Sequence, residues 1–161
     1  MFGLVFAVMA HGAMAQSAID QSTELHVMHD GARPAVNDEQ VITELIALVE
    51  SSSVDSTSYV QPADRWDKAL GSRIFIHALF DGPREMSLRL QNDIEPRTPS
   101  AVREVVVVFP AGKWPSHIFV KTNNEVRAVT KYSPCALESL VRAAKLDSAV
   151  RIESLRGYCQ R

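Results

Sequence analysis

The sequence predicts an α+β domain: an antiparallel sheet of four to five strands with an N-terminal and a C-terminal helix packed on it, closed by one disulfide. Three observations carry this reading. An apolar stripe of helical period occupies residues 38–51. From Arg73 onward several segments alternate apolar and polar residues with period two. A second helical stripe follows Ser133-Pro134, and Cys135 and Cys159 are the two cysteines of the chain.

The first fifteen residues hold no Asp, Glu, Lys or Arg, and Phe2 to Ala10 form a short apolar run. Ala13 and Ala15 stand at the small-residue positions that signal peptidase requires, although the basic residue that usually precedes the apolar run is missing. The run falls well short of the ~20 apolar residues that span a bilayer. The expectation is a signal peptide over 1–15, cleaved after Ala15, and a periplasmic or secreted product. Residues 16–36 are polar, contain Gly31 and Pro34, and read as a flexible N-terminal arm. Residues 37–161 then form a single domain, large enough to bury a core.

Asn37 offers an N-cap with Gln40 as its capping-box partner. Val41, Ile42, Leu45, Ile46, Leu48 and Val49 give the following helix one apolar face. Residues 51–61 are rich in Ser and Thr and read as a loop. Pro62 to Leu70 predicts a short helix ended by Gly71, with Trp66 and Leu70 one turn apart as its anchors.

Ile74, Ile76, Ala78 and Phe80 alternate with Phe75, His77 and Leu79, which predicts a strand buried on both faces. Asp81-Gly82-Pro83-Arg84 reads as a turn, and Met86, Leu88 and Leu90 as a half-buried partner strand. Residues 92–100, with Pro96 and Pro99, read as a loop. Val102 to Phe109, with four consecutive valines, predicts the central strand. Residues 116–121 and 125–131 predict a hairpin around Thr122-Asn123-Asn124. A three-residue loop would pair Lys121 with Glu125 and Val120 with Val126, placing Ile118, Val120, Val126 and Ala128 on one face.

Ser133 as N-cap and Pro134 at the first helical position open the last helix, with Leu137, Leu140, Val141 and Ala144 as its stripe. Residues 148–159 fit either a helix or a strand. In an exported chain Cys135 and Cys159 should be bridged, a constraint that contributes about 3–4 kcal/mol on the chain-entropy model. If both helices lie on one face of the sheet, Phe75, Leu79, Val105, Val107 and Phe119 on the other need a cover. The arm, a partner or a homodimer mate would supply it.

Charge is unevenly spread. Residues 16–112 carry 8 Lys/Arg and 15 Asp/Glu, and residues 113–161 carry 9 and 4. That acidic counterweight argues against a nucleic-acid binder. His26 and His29, with Asp30 beside them, lack an obvious third ligand for a metal. His77 lies mid-strand, with Ser87 and Asp81 as the partners a triad would need, but no nucleophile elbow is present. Asp93 and Glu95 sit in a Pro-flanked loop, and the glycines are scattered singly. No catalytic set, metal site or cofactor is therefore assigned.

The segment Phe109 to Pro115 presents Trp114 between Lys113 and Pro115 on a stiffened loop, a suitable binding anchor. Lys113, Trp114, Phe119, Lys121, Arg127, Lys131 and Tyr132 would make a basic, aromatic surface. These features point to an exported, non-enzymatic protein-binding module of inhibitor or immunity type, with another envelope protein as partner. A carrier holding a small apolar ligand between the sheet and the 38–51 helix is the alternative. A small envelope hydrolase using His77 with a carboxylate is a third.

Overall fold

The structure is a computed structural model that describes residues 23–29, 38–54, 63–91, 98–110, 117–122, 125–151 and 159. The proposed signal peptide, Lys113, Trp114, and most of the segment between 148 and 159 lie outside the described residues. Among the described residues, six strands and three helices follow in the order β1 (Thr23–Met28), α1 (Glu39–Glu50), β2 (Ser53–Val54), α2 (Ala63–Leu70), β3 (Phe75–Leu90), β4 (Thr98–Val108), β5 (His117–Lys121), β6 (Val126–Lys131) and α3 (Pro134–Ala143). The α+β class holds, but the sheet is larger than expected, and it is mixed because β2 runs parallel to β3.

The organising element is β3. Asp81-Gly82-Pro83-Arg84, read as a hairpin turn, instead lies inside one continuous strand of 16 residues. Phe75 to Leu79 pairs with Val108 to Glu104, and Arg84 to Leu88 pairs with Val102 to Thr98, so Phe80, Asp81, Gly82 and Pro83 together face Arg103. Pro83 has no N–H to give to a ladder and is tolerated at such a bulge. The bulge lets the two halves take different neighbours: the first half pairs with β1, while Arg89 and Leu90 pair with β2. Since β2 also pairs with β6, the pairings β3–β4–β5–β6–β2–β3 form a closed ring, with β1 added outside it.

Inside the ring lies the main core. Val54, Ile76, Ala78, Phe80, Met86, Leu88, Val102, Val105, Val107, Ile118, Val120 and Val129 meet Val41, Leu45, Leu48 and Val49 of α1 and Leu137, Leu140 and Val141 of α3. The α1 stripe is fully buried, and each such side chain contributes roughly 1.5–3 kcal/mol. Asp38, rather than Asn37, caps α1, its carboxylate accepting from the N–H groups of Gln40 and Val41 at 2.9 and 3.4 Å. At α3 the predicted cap holds: Ser133 accepts from Ala136 N–H, and Pro134 occupies the first turn. The predicted Cys135–Cys159 disulfide is present, with Cα atoms 5.3 Å apart.

Three further expectations need correction. Residues 23–28, assigned to a flexible arm, are strand β1, with Leu25 and Val27 turned into the core. The face opposite α1 and α3 is covered from within the chain, because Trp66 and Ala69 of α2 pack on Phe75, Val106 and Val108. Val105 and Val107 lie on the main-core side instead, since directly paired residues share a face: Phe75 is opposite Val108 and Ile76 opposite Val107. The β5–β6 hairpin takes the register one residue away from that predicted, with Val120 opposite Arg127 and Lys121 opposite Val126. The physical reason is that both faces are covered. Phe119 and Val126 pack into the cluster under α2, and Val129 enters the main core.

Candidate functional site

The α2 side of the sheet is built in cross-strand rows. His26, His77, Val106, Phe119 and Ala128 form one row; Glu24, Leu79, Glu104, Lys121 and Val126 form the next. Neighbouring rows lie within reach of long side chains, so polar residues from four strands meet beneath α2. His77 Nε2 lies 3.1 Å from Glu104 Oε2, and Lys121 Nζ donates to Glu104 Oε1 at 2.9 Å. The Lys121 ammonium stands 5.4 Å from the centre of the Trp66 ring, a cation–π distance. Trp66 also meets His77 edge-on at 6.3 Å, and the His26 ring stacks on His77 at 6.1 Å.

This cluster is largely enclosed, with the His77 and Glu104 side chains 14% and 17% exposed. Burial pushes the Glu104 carboxyl up, but hydrogen bonds and charge from Lys121 and His77 outweigh it and hold the group below its ordinary value. Both carboxylate oxygens are engaged, and the imidazole of His77 is bounded by Trp66 and His26. Chemically the arrangement is a charge-compensated anchor for α2. His26 pairs with Glu24 through Nε2, and its Nδ1 is buried with no hydrogen-bond partner among the described residues. Among the described residues no group of three or more His, Cys, Asp or Glu side chains could hold a metal ion.

Beside the anchor, α2 and strands β4 and β5 enclose a groove of about 320 Å³. Ala69, Val108, Pro110 and Phe119 give it apolar walls; Arg65, Lys68, Ser72 and His117 supply its polar and basic groups. Lys68 makes one long ion pair, 3.5 Å to Asp64, in which both side chains are mostly exposed. Such a pair is worth little and leaves the lysine available to another anion. The helical spacing explains the rim: Arg65 and Lys68 are three apart on α2, and Ala69 turns inward beside them. Pro110 and His117 are joined in sequence by the segment that contains Lys113 and Trp114.

Of the seven residues expected to form one basic surface, Lys113 and Trp114 lie outside the described residues, and the other five are divided. Phe119 lines the groove, and Lys121 lies in the Glu104 cluster next to it. Arg127 is turned to the opposite side of the sheet, where its guanidinium donates to Glu125 at 2.7 and 3.0 Å. Lys131 is exposed at the end of β6, and Tyr132 packs against the main core. Arg65, Lys68, Ser72 and His117 were missed by sequence reasoning. The i, i+3 basic pair on an amphipathic helix was the available signal for the first two. No described helix is long and apolar enough to cross a membrane. No family model matches the chain, and no curated protein or solved structure matches it.

Proposed function

We propose that the chain is an exported, non-enzymatic binding module of the cell envelope, of inhibitor or immunity type, that holds an acidic, partly apolar segment of a partner protein. The observation that carries this reading is the groove between α2 and β4–β5. Its volume of about 320 Å³ falls within the range of ligand-binding clefts. Its basic rim of Arg65, Lys68 and His117 stands over an apolar floor of Ala69, Val108 and Phe119. A segment alternating carboxylates with apolar side chains would satisfy both, with the charges steering approach and the apolar groups supplying affinity. The apolar run Phe2 to Ala10 followed by Ala13 and Ala15, together with the Cys135–Cys159 disulfide, supports an envelope location.

The test uses a fluorescein-labelled peptide of alternating Asp and Leu, and a Lys–Leu peptide of the same length, read by fluorescence anisotropy. The acidic peptide should bind and the basic one should not. Arg65→Glu combined with Lys68→Glu should weaken the acidic peptide by about tenfold or more. Equal affinity for both peptides, or no effect of the charge reversal, would defeat the proposal.

A further inference from the structure

At one end of the strand ring, away from α2, lies a second cavity of about 220 Å³ lined by Val54, Leu88, Leu90, Ser100, Val120, Thr122 and Arg127. These residues come from all five strands of the ring and from the residue just after β5. They sit on the last part of β3 and β5, the first part of β4 and β6, and the end of β2. The antiparallel pairings bring those ends together, so the cavity is the mouth of a small barrel, a common place for ligand sites. Val54, Leu88 and Val120 also belong to the main core, which makes the cavity continuous with the ring's apolar interior.

Two donors give this apolar mouth a polar point. The Ser100 hydroxyl makes no hydrogen bond to the described residues. The Arg127 guanidinium gives Nε–H and Nη2–H to Glu125 Oε2, which leaves its other terminal nitrogen uncommitted among the described residues. Glu125 also pairs with Arg127, so an anionic head would meet a neighbouring carboxylate at the one cation that lines the cavity among the described residues. We infer that the ring mouth is a binding site for a small, neutral, predominantly apolar molecule with a single hydrogen-bond-accepting head. The head accepts from Arg127 and Ser100 while the apolar tail enters between Leu88, Leu90 and Val120. A cavity of about 150 Å³ lined by aliphatic side chains already holds benzene, so 220 Å³ accommodates a tail of about seven or eight carbons. This site is separate from the groove and does not depend on the reading given to it.

The experiment titrates octan-2-one, octanoate and octylammonium into the methyl-labelled protein and follows Ala, Val and Leu methyl shifts by NMR. Octan-2-one should shift Val54, Leu88, Leu90 and Val120, and should bind about tenfold more tightly than octanoate or octylammonium. Arg127→Leu should abolish its preference over octane. Glu125→Gln, which removes the compensating charge, should move the preference toward octanoate. Ser100→Phe, with folding confirmed by its thermal transition, should block all binding at the mouth. Shifts confined to Ala69 and Val108, equal affinity for all three head groups, or binding unaffected by both Ser100→Phe and Arg127→Leu would overturn the inference.

Discussion

His77 on β3 and Glu104 on β4 are diagonal neighbours across the sheet, joined Nε2 to Oε2 at 3.1 Å. Because the carboxylate only accepts, the Nε2 position carries the proton. The same carboxylate receives Lys121 from β5, so one side chain ties three strands together under Trp66.

The lowered pKa of Glu104 gives this tie a pH dependence. A carboxyl held below its unfolded value contributes stability that is complete above the unfolded pKa and is lost as pH falls through the folded one. Glu104→Gln should cost about 1–3 kcal/mol at neutral pH, toward the low end because Lys121 is partly exposed. Below about pH 4.3 the gap between wild type and variant should shrink. Urea unfolding at a series of pH values measures both effects.

Lys145 ends α3 in the left-handed region, at φ 55°. Its N–H bonds Arg142 O, and Leu146 N–H reaches back to Val141 O, the pattern that glycine normally occupies. Lys145→Gly should relieve the strain and stabilise the fold by about 1 kcal/mol. A rise in melting temperature with unchanged far-UV circular dichroism would be the expected result.

Trp66 covers Phe75, Val106 and Val108. Trp66→Ala should cost about 3–5 kcal/mol and expose that face. Increased binding of an anilinonaphthalene sulfonate dye, read with the unfolding midpoint, checks it. A variant with wild-type stability and no dye binding would mean that α2 does not cover this side of the sheet.

Replacing both cysteines, Cys135→Ser with Cys159→Ser, removes a link across 24 positions of sequence. The loss should be about 3–4 kcal/mol if the bridge acts through the unfolded chain. Denaturant unfolding of the double variant, beside the oxidised and reduced wild type, measures it.

How much of this was legible in the sequence depended on whether a signal was local. The α1 stripe, the Ser133-Pro134 cap, the short α2 and the valine run of β4 are local patterns, and each lies where its residues predict. The ring is not local. Asp81-Gly82-Pro83-Arg84 has the composition of a turn, and nothing in its own residues says that β4 stays paired along both halves of β3. β1 has the alternation of a strand, with Leu25 and Val27 inward, but Gly31 and Pro34 close behind it gave it the look of a loop. The hairpin register was chosen on the assumption of one buried face, and α2 buries the other. The site shared that fate: His26, His77, Glu104 and Lys121 come from four strands and become neighbours only once the rows are aligned.

The strand β2 consists of Ser53 and Val54, yet it joins Leu90 on one side to Val129 on the other. The ring therefore waits on segments drawn from both halves of the chain, and no shorter N-terminal stretch can complete it. Contacts of such long sequence separation carry a large loop-closure cost and form late. The disulfide adds a second link between separated segments, joining Cys135 at the start of α3 to Cys159. Structure should thus accumulate late in folding, and the two-residue strand should be among the last parts to acquire protection from hydrogen exchange.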